Sequence, residues 1–259
     1  MLYKIIDFNY FNAISFGNCE ITQNEITIDN DRYRAHVRKN DHSGRLAPSL
    51  RITAKRPVSL MTMFSYVYEI CEHYGKNYEP FIMQRLRFKG IYRDLLNTKI
   101  VQQQKVLQLI GYGGEAVVFE REDNLIFKLA QRSFMYSHYD REQNLNFDVP
   151  VLEKGMFEIE DESFYYYVVQ KVITEGITEK HVRIVMENIL REGYAFSDFL
   201  PKMTSQVGLY DYGNGLRPCI IDFSCVRASD DPAGREWLQY LAKKYPAFNS
   251  ETLRFENGE

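Results

Sequence analysis

With four cysteines and one tryptophan in 259 residues, the chain is poor in the residues that staple small folds. Cys19, Cys71, Cys219 and Cys225 show neither CxxC nor His-paired spacing, which argues against a disulfide framework or a zinc site and predicts free buried thiols in a reducing compartment. Long apolar runs are also missing: none approaches the roughly 20 residues needed to span a bilayer. The opening MLYKIIDFNYF lacks the basic start and continuous apolar core of a secretory signal. There is no excess of positive charge either, since 32 Lys and Arg against 35 Asp and Glu leave a net charge of −3. That balance argues against a chiefly electrostatic nucleic-acid binder. The expectations are a cytoplasmic protein with no membrane and no nucleic-acid partner.

What is present is ordinary globular material, 45% hydrophobic and 26% charged, with 19 Tyr and 17 Phe. The length suffices for one large domain or two modest ones. In the first hundred residues, YKIIDF, ISFGNCEITQNEITI and RYRAHVR are β-rich runs separated by turn residues at Asp29-Asn30 and 40–44, predicting a small antiparallel sheet. Arg45–Pro57, basic and proline-bounded, reads as a loop or linker. LMTMFSYVYEICEHYG predicts a helix ending near Gly75, and Glu79–Lys105 a second helical region broken at Gly90. Arg85, Arg87, Lys89, Arg93 and Lys99 make this region basic: a solvated face, or more sharply a docking surface for an acidic partner.

The densest signal is Leu109–Ala130, LIGYGGEAVVFEREDNLIFKLA. It reads as strand, glycine-rich turn, strand, polar turn at Arg121–Asn124, and strand. Gly111, Gly113 and Gly114 let backbone approach a bulky anion closely. The third strand carries one basic residue, Lys128, and a buried lysine needs an anionic partner.

Downstream, Asp140–Asn146 has the look of a short helix centred on Glu142, a candidate partner for Lys128 with Asp140 as competitor. GMFEI and SFYYYVVQKVI form a strand pair around Glu160–Ser163, the second apolar enough to be central. Glu179–Glu192 carries the helical stripe Val182, Val185, Met186, Ile189 and Leu190, with Gly193 past its end. Asp198 follows in a loop. Val207–Tyr210 and Pro218–Ile221 then form a hairpin over Asp211–Gly215, and Asp222 stands where the apolar strand emerges. Trp237, Leu238, Leu241 and Ala242 predict one last helix before a polar tail.

This order of glycine loop, strand lysine, helix glutamate, long strand, helix, loop aspartate, hairpin and Asp-Phe resembles the protein-kinase-like fold. The resemblance implies an α+β, bilobal kinase-like fold: an N-terminal α+β region of unassigned role at 1–105, an N-lobe at 106–173, and a truncated C-lobe at 174–259. It implies ATP and Mg²⁺ as cofactors. ATP would lie against Gly111, Tyr112, Gly113, Gly114, Glu115, Ala116, Val118 and Lys128, with the adenine cupped by the linker from Gln170 to Ile173. Lys128 and Glu142 would hold the phosphates, Asp198 would orient the acceptor hydroxyl, and Asp222 would bind the metal. Compact kinases of this kind occur among bacterial effectors and phage proteins, so delivery into a host cell is an extension of the cytoplasmic expectation.

The sequence also departs from the family pattern. Ala116 stands at the third loop glycine, Phe196-Ser197-Asp198 replaces His-Arg-Asp, and Asp222-Phe223-Ser224 replaces Asp-Phe-Gly. The metal-binding asparagine expected five residues after Asp198 is Met203, so Gln206 becomes the candidate second metal ligand. The expected activity is phosphoryl transfer to a protein hydroxyl. A small-molecule acceptor, nucleotidyl transfer to protein, and a pseudokinase serving as a nucleotide-binding or interaction module are the alternatives.

Overall fold

The structure is a computed structural model that describes residues 18–21, 25–38, 49–112, 116–131, 149–196, 201–221, 226–228 and 232–256. They form a mixed α+β arrangement dominated by a nine-stranded antiparallel sheet of order β1-β2-β3-β4-β5-β6-β7-β9-β8. The strands are β1 (Asn18–Ile21), β2 (Glu25–Asp29), β3 (Tyr33–Arg38), β4 (Ser49–Ser59), β5 (Lys105–Tyr112), β6 (Ala116–Arg121), β7 (Leu125–Gln131), β8 (Val151–Ile159) and β9 (Glu162–Gln170). The chain divides into two compact units, Met1–Gly113 with Val118–Glu122, and Gly114–Val117 with Asp123–Glu259.

In the first unit the period of two is explicit. Ile26 and Ile28 on β2, Tyr33, Ala35 and Val37 on β3, and Leu50, Ile52 and Ala54 on β4 are buried, while intervening residues such as Arg34, Arg51 and Lys55 are exposed. The segment Arg45–Pro57, read from sequence as a loop or linker, is instead largely strand β4. From Ser49 on, its alternation outweighs its charge, because Arg51, Lys55 and Arg56 are exposed while Leu50, Ile52 and Ala54 are buried. Pro57 falls within a register shift between Thr53 and Val58, where the ladder with β5 is interrupted.

Helix α1 (Leu60–Tyr74) follows β4 directly. Ser59 caps it by accepting from Thr62 N, and Gly75, at φ 118°, closes it by donating to the Cys71 carbonyl. One side of α1 buries Leu60, Met63, Phe64, Val67, Ile70 and Cys71, and Phe64 meets Phe119 of β6 edge-on at 5.5 Å. Glu69 is buried on the same helix and accepts from Arg32 at 2.7 Å and from the Tyr33 hydroxyl at 2.7 Å, tying the β2–β3 turn to α1. The expected broken helical region is α2 (Phe81–Lys89), α3 (Tyr92–Asn97) and α4 (Lys99–Gln102), with Gly90 left-handed at φ 77° between the first two.

Burial sets the acid–base behaviour of this unit. It pushes the Cys71 thiol up to about 12 and lifts the Tyr33, Tyr68, Tyr92 and Tyr112 phenols well above their ordinary range. All five groups are neutral when protonated. Their raised folded values therefore stabilise the fold fully below the unfolded pKa values, near 9 to 10, and that contribution is lost as pH rises beyond them. Each such group should cost about 1.4 kcal/mol per pH unit above its unfolded pKa until its folded value is reached. The denaturant midpoint should consequently fall steeply between pH 9 and pH 11, with Cys71 inert to a thiol reagent at pH 8 until the chain unfolds. A midpoint constant across that interval would contradict the buried environment.

In the second unit, β8 and β9 form a hairpin whose turn places Glu160 at φ 52°. β9 is buried from Glu162 to Val168, as its apolar run predicts, and lies between β7 and β8. Gly155 on β8 pairs with Tyr166 on β9, and a Cβ at Gly155 would strike the Tyr166 ring, whose hydroxyl donates to Glu153 at 3.0 Å. The remainder comprises α5 (Glu179–Arg191), α6 (Pro232–Lys244) and three small antiparallel pairs. These are β10 (Tyr194–Phe196) with β13 (Val226–Ala228), β11 (Val207–Asp211) with β12 (Leu216–Ile220), and β14 (Phe248–Asn249) with β15 (Arg254–Phe255).

The expected stripe of α5, Val182 to Leu190, forms a core with Val207, Ile220, Trp237 and Leu241. The polar tail expected after the last helix is corrected by the structure. β14 and β15 insert Phe248 and Phe255 into that core, and Phe255 N donates to Glu187 on α5 at 2.9 Å. Two aromatics seven residues apart on either side of a turn outweigh the polar residues between them. No helix among the described residues is long and apolar enough to cross a membrane. The expected strand YKIIDF, the turn at 40–44 and the helix Asp140–Asn146 lie outside the described residues.

Candidate functional site

Gly111 and Tyr112 end β5 at the entrance to the glycine-rich turn, while Gly113, Gly114 and Glu115 lie outside the described residues. Gly111 does not need its glycine for backbone geometry: its φ is not positive, and a Cβ there would meet nothing within 4 Å. Tyr112 is tethered, its hydroxyl donating to the Tyr78 carbonyl at 2.9 Å. Val118 lies on β6 between the buried Val117 and Phe119. Asn124, the last residue of the turn before β7, adopts the left-handed region at φ 62°, which asparagine tolerates better than most residues.

Lys128 is half-buried on β7, opposite Tyr167 of β9. Directly paired residues share a sheet face. The lysine therefore stands on the face that carries Ala130, Tyr165, Tyr167 and Val169, where Ala130, Tyr165 and Tyr167 form a buried cluster joined by Ala116, Val151 and Val169. Phe127, Leu129, Phe164, Tyr166 and Phe157 serve the opposite face, with Phe127 stacked on Tyr166 and Phe157 on Phe164. The strand's single cation thus shares its face with a buried cluster against which Ala116, the residue standing in for the third loop glycine, is packed. Tyr165 and Tyr167 did not figure among the sequence-derived candidates. The alternation of SFYYYVVQ could have assigned them to the lysine's face, once β9 is known to lie beside β7.

Gln170 closes β9 opposite Leu125, and the chain then runs out as Lys171–Ile173. Ile173 pairs with Leu209 of β11: Ile173 N donates to the Leu209 carbonyl at 3.0 Å and Leu209 N returns to Ile173 O at 2.8 Å. Gly208 makes this approach feasible. A Cβ there would lie 2.9 Å from Val172 Cβ and 3.3 Å from the Ile173 carbonyl. Gly208 was missed from sequence, where a glycine beginning an otherwise apolar strand is the one visible sign.

Gln206 is half-buried, ends a short 3₁₀ turn (Thr204–Gln206), and accepts at its carbonyl from Ile221 N at 2.9 Å. The expected hairpin is present with its turn at Asp211, whose Oδ1 accepts from the backbone of Gly213 and Gly215. β10 and β13 pair with Phe196 opposite Val226. Asp198, Glu142 and Asp222 lie outside the described residues. Among the described residues, no group of three or more His, Cys, Asp and Glu is placed to hold a metal ion.

No protein-family model matches the sequence, and neither does a curated protein.

Proposed function

We propose that the chain is an ATP- and Mg²⁺-dependent phosphotransferase of the protein-kinase-like class, acting on a hydroxyl of a protein substrate. One observation carries the reading: β10 and β13 are paired while Ile221 bonds to Gln206. The chain leaves Phe196 toward Asp198, reaches Asp222 directly after Ile221, and enters β13 at Val226. Asp198 and Asp222 themselves lie outside the described residues; what supports the reading is that their described neighbours are paired, Phe196 with Val226 and Ile221 with the backbone of Gln206.

The remaining support comes from the lysine's surroundings. Lys128 on the sheet face of Ala130, Tyr165 and Tyr167, with Ala116 and Val169 packed against that cluster, sets a cation beside apolar side chains, the combination a nucleoside polyphosphate requires. The linker that would cup a base is fixed to β11 through Ile173 and Leu209. The donor set, an Asp222 carboxylate and the Gln206 amide oxygen, consists of hard oxygens of the kind magnesium prefers. When bound, magnesium would neutralise phosphate charge. Lys128 would hold phosphate oxygens, and the Asp198 carboxylate would accept and orient the acceptor hydroxyl's proton. Phosphoryl transfer depends chiefly on positioning and charge neutralisation, so a small scaffold suffices.

Intact mass after incubation with ATP and Mg²⁺ tests the reading. A phosphate-sized gain on the chain or a protein acceptor, abolished in Asp222→Ala, is expected. An AMP-sized gain would assign nucleotidyl transfer instead. Absence of nucleotide binding by the unaltered chain would overturn both, and binding without any transfer would leave the pseudokinase reading.

A further inference from the structure

The β5–β6 hairpin is fastened to the N-terminal region at three levels. At its base, Arg121 Nη1 donates to Gln104 Oε1 at 3.2 Å, and Gln104 Nε2 donates in turn to the Ile100 carbonyl of α4 at 2.9 Å. Midway, Leu109 of β5 pairs with Ile52 of β4, and Phe119 of β6 meets Phe64 of α1. At the turn end the described tie is a single bond, from the Tyr112 hydroxyl to the Tyr78 carbonyl. Met1–Gly113 and Val118–Glu122 accordingly fall in one compact unit.

The acceptor at the turn end is itself held firmly. Tyr78 ends a short 3₁₀ turn (Lys76–Tyr78) between α1 and α2, and is only 3% exposed. Tyr78 N donates to the Gly75 carbonyl at 3.3 Å and Glu79 N to the Lys76 carbonyl at 3.0 Å. From α2, Gln84 Nε2 reaches the carbonyls of both Lys76 and Glu79, at 3.3 and 2.9 Å. The buried Glu79 carboxylate is fixed by Arg87 of the same helix at 2.7 Å. The Tyr78 carbonyl is therefore presented from backbone braced on either side.

The donor is matched to this acceptor. Burial, with Cys71 and Tyr78 nearby, lifts the Tyr112 phenol well above its ordinary range, so it stays protonated and able to donate. A hydrogen bond is also directional, and fixes a position more narrowly than apolar contact does. Tyr112 immediately precedes Gly113, and consecutive Cα atoms are about 3.8 Å apart, so its place sets where the turn begins. Displacements of about 1 Å are enough to impair a phosphoryl-transfer site.

We infer that the N-terminal region seats the glycine-rich hairpin for nucleotide binding, with Tyr112 as the positioning residue that fixes the start of the turn through the Tyr78 carbonyl. This role rests on the phosphotransferase reading, and gives a task to the region before β5 that the kinase resemblance leaves unassigned. The one hydroxyl proton of Tyr112 is committed to Tyr78, so the residue acts through the backbone it fixes.

The test compares Tyr112→Phe with Tyr33→Phe in the full chain, well below the unfolding midpoint of either. Tyr33 donates a comparable buried hydroxyl bond to Glu69 in the same unit, so it controls for stability alone. Tyr112→Phe should weaken Mg²⁺-ATP binding by about fivefold, the value of one neutral hydrogen bond. It should also speed amide exchange at residues 111–112 and 116–117. Tyr33→Phe should do neither. Unchanged affinity and exchange in Tyr112→Phe, or an equal loss of affinity in Tyr33→Phe, overturns the positioning role. If the unaltered chain binds no nucleotide, the phosphotransferase reading fails and exchange alone decides the seating: faster exchange in Tyr112→Phe supports it, and unchanged exchange overturns it.

Discussion

Lys128→Met is expected to lower phosphoryl transfer by about 10²–10³-fold, the usual consequence of removing one preorganised charge from a phosphoryl-transfer site. Methionine keeps most of the aliphatic stem on β7, opposite Tyr167 of β9, so the ladder with β9 and the denaturant midpoint should change little. The loss should fall on the rate at saturating ATP as well as on nucleotide affinity, since a lysine on phosphate oxygens acts in both ground and transition states. Single-turnover kinetics with the substituted chain separates the two. Unaltered transfer would remove Lys128 from the site. Unfolding instead would show that the lysine's contacts on β7 are structural.

Gly208→Val is expected to have the largest effect on the fold of the second unit. The added side chain must occupy space already held by Val172, and its Cβ would come within 3.3 Å of the Ile173 carbonyl. Two outcomes are available to the chain: strain the β11–β12 hairpin, or release the linker and lose both Ile173–Leu209 hydrogen bonds. Overpacking typically costs about 1–3 kcal/mol and each lost hydrogen bond about 0.5–1.5 kcal/mol, so a destabilisation of about 3 kcal/mol is expected. Nucleotide binding should weaken with it, because the linker that would cup the base is the segment displaced. Gly111→Ala is the informative contrast. Its Cβ enters open space, so stability should be retained while nucleotide affinity falls. Equal stability of Gly208→Val and the unaltered chain in urea titration would refute the close-approach account.

Local chemistry made much of this protein legible. The run from Gly111 to Lys128 announces strand, turn and strand through its glycines, β-branched residues and Asn124. The stripe Val182 to Leu190 announces α5 because one helical face must be apolar to pack. Gly75 marks the end of α1 by its capping chemistry, and β6, the turn at Asn124, β7, α5 and α1 are present among the described residues. The errors share a cause. The composition of Arg45–Pro57 and of the segment after α6 predicts a loop and a polar tail, whereas their fate depends on a partner distant in sequence. β4 finds β5 about fifty residues on, and Phe255 finds Glu187 across 68 residues. Such pairing carries no local signature, because a strand's edge is satisfied by whichever strand the fold delivers.

The lysine at 128 was therefore visible from sequence as a cation in an apolar strand, and Gln206 as an amide before a strand. Tertiary structure alone decided that Lys128 shares its face with Tyr165, Tyr167 and Ala116, that Gln206 is bonded to the neighbour of Asp222, and that Gly208 is where the linker closes. Spacing along a chain determines which elements form, since backbone hydrogen bonding and side-chain period are local. Which side chains meet is determined by how those elements pair and pack, and that sum runs over the whole molecule.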